Sequence, residues 1–254
     1  MTILIGNYRK FADVRQVLFD VDGTLYSEKG VGYRLESFFR VLQTSAQRGL
    51  GLGLLNPFNL AASFSVLDRG LHQAKSSKNN PLRGKLLAYS MLRMSHSWTK
   101  VDTKLPEAVG LLRRVSPDMR FAVVTNSLRE QVQPILDRTS LPEVTGALTV
   151  ADVRFRNIDQ ARGFKSSETL YDDLREKSVL LVPNEQACLI DNEIKYLESA
   201  SRNGLKTIWV DATFRDRQKD KSLPYGVDAR VTSVSEAVYL LARSKAQLAK
   251  DLAI

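Results

Sequence analysis

Short apolar runs alternate with amphipathic stretches along most of the chain. The runs are rich in β-branched and aromatic residues and have the length of buried strands. Helix-like stretches lie between most of them, and this alternation predicts βαβ units joined by right-handed crossovers. We therefore predict an α/β fold built on a Rossmann-like parallel sheet. The predicted strands are QVLFD (16–20), RFAVVT (120–125), GALTV (146–150), ACLID (187–191), KTIWV (206–210) and ARVTS (229–233).

Several of the helix-like stretches carry signals for where a helix begins or ends. In LPEAVGLLRRV, Pro106 suits a first helical position, and in SLREQVQPILDRT, Ser127 and Glu130 have the spacing of a capping box. Gly204 ends the stretch EIKYLESASRNG, as expected after a helix. The stretches ETLYDDLREK and SEAVYLLARSKAQLAK complete the set.

The long segment between the first two predicted strands breaks the alternation, because its pattern is helical throughout. We predict that residues 28–102 form a separate helical domain, and that residues 1–27 and 103–254 form the α/β core. An insertion directly after the first strand would lie above the carboxyl edge of the sheet, where open α/β sheets bind ligands.

Charge is concentrated in this same segment. The chain carries a formal charge of +9, and residues 28–102 contain 11 Lys or Arg against 4 Asp or Glu. The excess favours an anionic substrate or partner, although a solvated basic face is the commoner explanation of such a segment. The chain has no basic–aromatic RNA-binding motif, so nucleic acid is not the expected partner.

The remaining composition indicates a globular protein of a reducing compartment. Hydrophobic residues make up 43% of the chain and charged residues 26%, which are ordinary values. Cys188 is the single cysteine, so no internal disulfide can form. The apolar start is too short for a signal peptide, and no apolar run reaches the ~18 residues of a membrane span. We expect a cytoplasmic protein with no membrane span, and we leave its oligomeric state open.

Two carboxylates stand where the first strand ends, in the string LFDVDGTLYS (18–27). Asp20 and Asp22 follow the apolar run Val17–Phe19 and precede Gly23, which allows a tight turn. An ordinary polar loop explains an Asp-x-Asp pair equally well. The full string Asp-x-Asp-Gly-Thr-Leu after an apolar strand is far more specific.

Polar side chains stand at three further boundaries of predicted strands and helices. A parallel sheet would bring them to the same edge. Thr125 ends the second predicted strand, Lys165 precedes a helix and Asp191 ends the strand ACLID. Each has a simple structural explanation by itself, but together they suit phosphoryl transfer. A carboxylate can attack phosphorus, a second carboxylic acid can move protons, and Mg²⁺ prefers hard oxygen ligands. A lysine and a hydroxyl can stabilise the charge that develops on the phosphoryl oxygens.

These motifs resemble the haloacid dehalogenase (HAD) superfamily, chiefly its phosphatases, and the resemblance covers nearly the whole chain. It implies that Asp20 is the nucleophile and that Asp22 is the acid and base, with Asp20, the Asp22 carbonyl and Asp191 holding Mg²⁺. It implies that Thr125, Asn126 and Lys165 bind the substrate phosphate. Residues 28–102 would then be the family's helical cap. The closest likeness is to phosphoglycolate-phosphatase-like and pyrimidine-nucleotidase-like members.

The resemblance predicts a Mg²⁺-dependent phosphatase that hydrolyses a small phosphorylated metabolite through an aspartyl-phosphate. The dehalogenating branch lacks an acid at the place of Asp22 and needs no metal, which favours a phosphatase. One departure concerns the metal motif. Many relatives have a second acid there, either directly after the first or four to five residues further on, and this chain has Asn192, Lys195 and Tyr196 at those places. The alternative is a non-catalytic HAD-like protein whose basic cap binds a nucleic acid or an acidic partner.

Overall fold

The structure is a computed structural model of the full chain, which divides into two compact units. The first comprises residues 1–27, 101–155 and 159–254, and the second residues 28–100 and 156–158. All the residues described below belong to the first unit. They are residues 5–6, 8–21, 23–25, 101–125, 136–137, 139, 141, 144–149, 165, 169–212 and 222–252. The predicted helical cap lies outside them except for residues 101–102, so it stays a prediction.

A seven-stranded sheet forms the centre of the described part of the chain, in the order β1-β7-β6-β5-β2-β3-β4. All neighbouring strands are parallel except β1, which pairs antiparallel with β7 at one edge. The predicted α/β class with a parallel sheet is confirmed. The edge strand β1 was not predicted. The strands are β1 Ile5–Gly6, β2 Gln16–Phe19, β3 Arg120–Thr125, β4 Val144–Thr149, β5 Ala187–Asp191, β6 Lys206–Val210 and β7 Ala229–Val231.

Four α-helices flank this sheet within the described residues. Pro106 occupies the second position of the first helix, where its missing N–H costs nothing, and Gly204 follows the third helix with a φ of +83°. The predicted capping box at residues 127–130 lies outside the described residues. The helices are α1 Leu105–Val115, α2 Leu170–Glu176, α3 Ile194–Arg202 and α4 Val234–Leu252, and two 3₁₀ turns span Tyr8–Phe11 and Asn184–Gln186.

Both faces of the sheet are buried, which explains why its strands read as continuous apolar runs. In β2, Val17 and Phe19 join the apolar cluster that includes residues of α1 and α4. Leu18 points to the opposite face and joins the cluster that includes residues of α2 and α3. Strands covered on both faces are apolar at most positions, so most of their polar residues lie at the ends. The central strands therefore present the polar side chains of the predicted site at their carboxyl ends.

The described residues include no helix that is long and apolar enough to cross a membrane. Cys188 is a buried free thiol in β5. Burial, together with the charge of Asp228, raises the pKa of this thiol well above its ordinary value. It is therefore a core side chain.

Candidate active site

The register of two central strands brings two of the predicted carboxylates to the same level of the sheet. Phe19 in β2 pairs with Ile190 in β5, so that Asp20 and Asp191 are the next residues on neighbouring parallel strands. The amide of Asp20 donates a hydrogen bond to the carbonyl of Ile190 at 3.0 Å, which continues the pairing one step beyond β2. Both side chains stand at the carboxyl edge, where the sequence predicts a site.

Lys165 joins these two carboxylates. Its Nζ donates to Asp20 Oδ1 at 2.6 Å and to Asp191 Oδ2 at 2.5 Å. The three side chains are buried, with relative exposures of 3%, 4% and 0% for Lys165, Asp20 and Asp191. These residues are distant in sequence, and the fold brings them into direct contact. We call them the buried charge cluster.

One ammonium and two carboxylates leave the buried charge cluster with an excess negative charge. Burial by itself lowers the pKa of Lys165, but the charges of Asp191 and Asp20 and their hydrogen bonds outweigh it, and the net pKa is raised. Burial raises the pKa of Asp191, and the Lys165 ammonium offsets this only in part. Lys165 is therefore firmly protonated at neutral pH. The surplus of negative charge favours an additional cation at this place.

Further contacts orient each member of the cluster. Thr24 Oγ1 donates to Asp20 Oδ2 at 3.1 Å, and the amide of Glu193 donates to Asp191 Oδ1 at 2.8 Å. The Lys165 ammonium also lies 4.4 Å from the centroid of the Tyr196 ring, a cation–π distance. Sequence reasoning did not identify Thr24 as part of the site, although the string Asp-Gly-Thr contained the signal. The sequence marked Tyr196 as a departure in the metal motif, but it did not predict a contact with Lys165.

The other predicted site residues are placed only in part. Thr125 is the last residue of β3, which neighbours β2, and it is fully buried. It therefore ends its strand at the same edge as Asp20. Asp22 and Asn126 lie outside the described residues, so their predicted roles stay predictions.

The buried charge cluster contains two side-chain ligands of the kind that Mg²⁺ prefers. No group of three or more His, Cys, Asp or Glu side chains suited to a metal occurs among the described residues. Asp20 and Asp191 supply hard carboxylate oxygens, and the excess negative charge of their cluster suits a divalent cation. The described donor set thus fits magnesium, provided that further oxygen ligands complete the coordination.

The fold is shared with solved structures. The HAD hydrolase YfnB from Bacillus subtilis, solved with magnesium, aligns with 90% of this chain and 98% of its own, at 14% identity and a TM-score of 0.51. A 2-haloacid dehalogenase from Pseudomonas syringae pv. Tomato aligns over 91% and 99%, at 16% identity and a TM-score of 0.53. CbbY from Rhodobacter sphaeroides, solved with phosphate, aligns over 88% and 96%, at 19% identity and a TM-score of 0.50.

No family model and no curated protein matches the sequence. The structural likenesses nevertheless cover most of this chain and nearly all of each neighbour, so the chain has the fold of the HAD-superfamily hydrolases. This confirms the resemblance seen in the sequence at the level of the fold. The neighbours include a dehalogenase as well as a magnesium-bound hydrolase. The choice of reaction therefore depends on the residues of this chain.

Proposed function

We propose that the chain is a magnesium-dependent phosphatase, which hydrolyses a small organic phosphate through an aspartyl-phosphate intermediate. The observation that carries the proposal is the contact of one buried lysine with two carboxylates at the carboxyl edge of the sheet. A carboxylate held beside an ammonium can attack phosphorus, because the cation keeps the carboxylate ionised and reduces its repulsion from the anionic phosphoryl oxygens.

Asp20 is the nucleophile in this proposal. Lys165 and Thr24 hold its two carboxylate oxygens, so its side chain is oriented before any substrate binds. A carboxylate oxygen of Asp20 attacks phosphorus, the bond between phosphorus and the ester oxygen breaks, and that oxygen leaves with a proton. Preorganisation of this kind lowers the barrier because the side chain does not have to be ordered during the reaction.

Asp22 is assigned the proton transfers. As an acid it protonates the leaving oxygen, and as a base it takes a proton from the water that attacks the aspartyl-phosphate. Cleavage of the phosphorus–oxygen bond then releases inorganic phosphate and restores the carboxylate of Asp20. An acid at this position is also the reason for preferring a phosphatase to a dehalogenase. The assignment rests on the sequence motif and on the resemblance.

Asp20, Asp191 and the backbone carbonyl of Asp22 are the groups that we assign to Mg²⁺. When bound, the ion would supply positive charge beside the phosphoryl oxygens. The two carboxylates of the buried charge cluster support this assignment, because Asp20 and Asp191 place hard oxygen atoms side by side at the carboxyl edge of the sheet. Thr125 and Asn126 are assigned to phosphate binding with Lys165.

A phosphatase screen tests the proposal. The purified protein is incubated with a panel of phosphorylated metabolites, with Mg²⁺ and with a chelator, and released phosphate is measured. We expect Mg²⁺-dependent turnover of at least one member. In Asp20→Asn, which keeps the shape of the side chain but removes the nucleophilic oxygen, we expect turnover to fall at least about a thousandfold with folding retained.

Two results would contradict the proposal. Turnover by Asp20→Asn at the wild-type rate would exclude a covalent intermediate on this residue, and full activity in the chelator would exclude the metal. If no phosphate ester is hydrolysed, release of halide from 2-haloacids is the next assay. Absence of both activities would favour the non-catalytic alternative, in which the basic segment 28–102 binds an anionic partner.

A further inference from the structure

Asn192 is the first residue after β5 and belongs to the loop that follows Asp191, whereas Gly23 and Thr24 belong to the turn that follows Asp20. We call these segments the Asp191 loop and the Asp20 turn. Its side chain packs against Gly23, where a Cβ would come within 3.0 Å of Asn192 Cγ and closer still to Nδ2. Gly23 has a φ of +79°, so this turn both requires glycine and leaves room for the amide. Thr24 Oγ1 is 3.5 Å from Asn192 Oδ1. The Asn192 side chain therefore covers the turn that follows Asp20.

The backbone of Asn192 is held from the other side by Trp209. The indole Nε1 donates to the Asn192 carbonyl at 3.1 Å. Trp209 is a residue of β6 and pairs in register with Asp191 of β5, so the indole is anchored on the neighbouring strand. The Arg230 guanidinium lies 4.4 Å from the centroid of the Trp209 ring, and Arg230 is itself paired with Asp211 at 2.5 Å. The donor thus lies on a strand that is paired on both sides and packs against Arg230.

We propose that Asn192 is a positioning residue that ties the Asp20 turn to the Asp191 loop, with Trp209 as its anchor. The two strands are joined by the hydrogen bond from the Asp20 amide to the Ile190 carbonyl, and the two carboxylates are bridged by Lys165. In the proposed function Lys165 also binds the substrate, so its contacts with the two carboxylates change during turnover. A link that takes no part in the chemistry keeps the spacing of the two loops constant while those contacts change.

The catalytic part of this inference rests on the proposed function. The structural link between the two segments can be tested without any enzymatic activity. The amides of Thr24 and Leu25 donate to the Val21 carbonyl at 3.3 Å and 3.1 Å, so their exchange with deuterium reports opening of the Asp20 turn. The amide of Glu193 donates to Asp191 Oδ1 and reports on the other loop. Hydrogen exchange at these three amides is the primary measurement.

Asn192→Ala removes the side chain that covers the turn. We expect exchange at Thr24 and Leu25 to become about fivefold faster, the effect of losing a contact worth one typical hydrogen bond. Trp209→Phe keeps an aromatic ring beside Arg230 but removes the N–H donor. It should accelerate exchange at Glu193 by a similar factor and provides a second route if the first variant does not fold.

Asn203→Ala is the matched control. Asn203 stands at the opposite end of α3, and its side chain also makes a partly buried hydrogen bond, to the Ser199 carbonyl at 2.9 Å. This variant should leave exchange at Thr24, Leu25 and Glu193 unchanged. Equal acceleration in the control would show general destabilisation and would overturn the proposal, as would unchanged exchange in both test variants.

A kinetic measurement completes the test. Because Asn192 positions the reacting groups without touching the substrate, Asn192→Ala should lower kcat about tenfold and leave KM nearly unchanged. Faster exchange with an unchanged kcat would contradict a positioning role. If the wild type hydrolyses no phosphate ester, the proposed function fails, and the exchange data alone decide whether Asn192 links the two loops.

Discussion

Removal of the Lys165 charge should destabilise the fold strongly, because two buried carboxylates depend on it. In Lys165→Met the apolar stem keeps a similar volume, but Asp20 and Asp191 lose donors at 2.6 Å and 2.5 Å. Their side chains are 4% and 0% exposed, so water cannot replace the ammonium. Removing one partner of a buried ion pair lowers the free energy of unfolding by about 3–5 kcal/mol. We expect about 3 kcal/mol here, because Thr24 and Glu193 still donate hydrogen bonds to the carboxylates.

Urea unfolding followed by circular dichroism measures this change. A loss of about 3 kcal/mol should lower the midpoint by roughly 1 M. The titration is done in a chelator, so that no divalent cation can take the place of the ammonium. Lys195→Met is the matched control. Lys195 is also paired with a carboxylate, with its Nζ 3.6 Å from Glu193 Oε2, but its side chain is 61% exposed. An exposed pair of this kind contributes less than about 1 kcal/mol.

A double-mutant cycle separates the electrostatic contribution from packing. Asp191→Asn removes one of the two charges that Lys165 neutralises, so Lys165→Met should be less damaging in that background. We expect a coupling energy of about 2 kcal/mol between the two positions. A coupling energy below about 0.5 kcal/mol would refute the reasoning, because it would show that the lysine stabilises the fold without the carboxylate.

Three other changes test further features of the structure. Gly23→Ala should cost about 2 kcal/mol in urea unfolding, because φ is +79° and the new Cβ meets Asn192, and Asn192→Ala should relieve part of that cost. Asn192→Asp keeps the side-chain shape and adds a negative charge. It should therefore lower the half-saturating Mg²⁺ concentration in the phosphatase assay about fivefold. An unchanged Mg²⁺ titration would show that this position does not affect metal binding. Asp211→Ala removes the carboxylate beside the buried Arg230 and should reduce stability by about 3 kcal/mol in thermal unfolding, and a loss below 1 kcal/mol would contradict this.

The strands and helices of the core are largely determined by local sequence. The apolar runs that form β3, β5 and β6 can be recognised in the sequence, because a strand covered on both faces is apolar at most of its positions. The bounds of α1 follow from its apolar spacing and from Pro106. The edge strand β1 was missed because two residues carry no periodicity, and the pairing with β7 defines it.

The polar residues of the site could also be selected from the sequence, since Asp20, Lys165 and Asp191 each stand at a boundary between elements. Their mutual contacts could not be derived in this way. The meeting of Asp20 with Asp191 depends on the pairing of Phe19 with Ile190, and residues so far apart in the chain give no local signal of that register.

The tertiary structure alone decided which ordinary residues support the site. Trp209 reads as a core aromatic residue and Asn192 as a missing acid, yet the first holds the second by its backbone and the second covers Gly23. Apolar burial and helix termination are properties of a segment and its nearest neighbours, so a sequence displays them. A hydrogen bond between strands and a close approach between loops depend on the packing of the whole sheet, so only the folded chain reveals them.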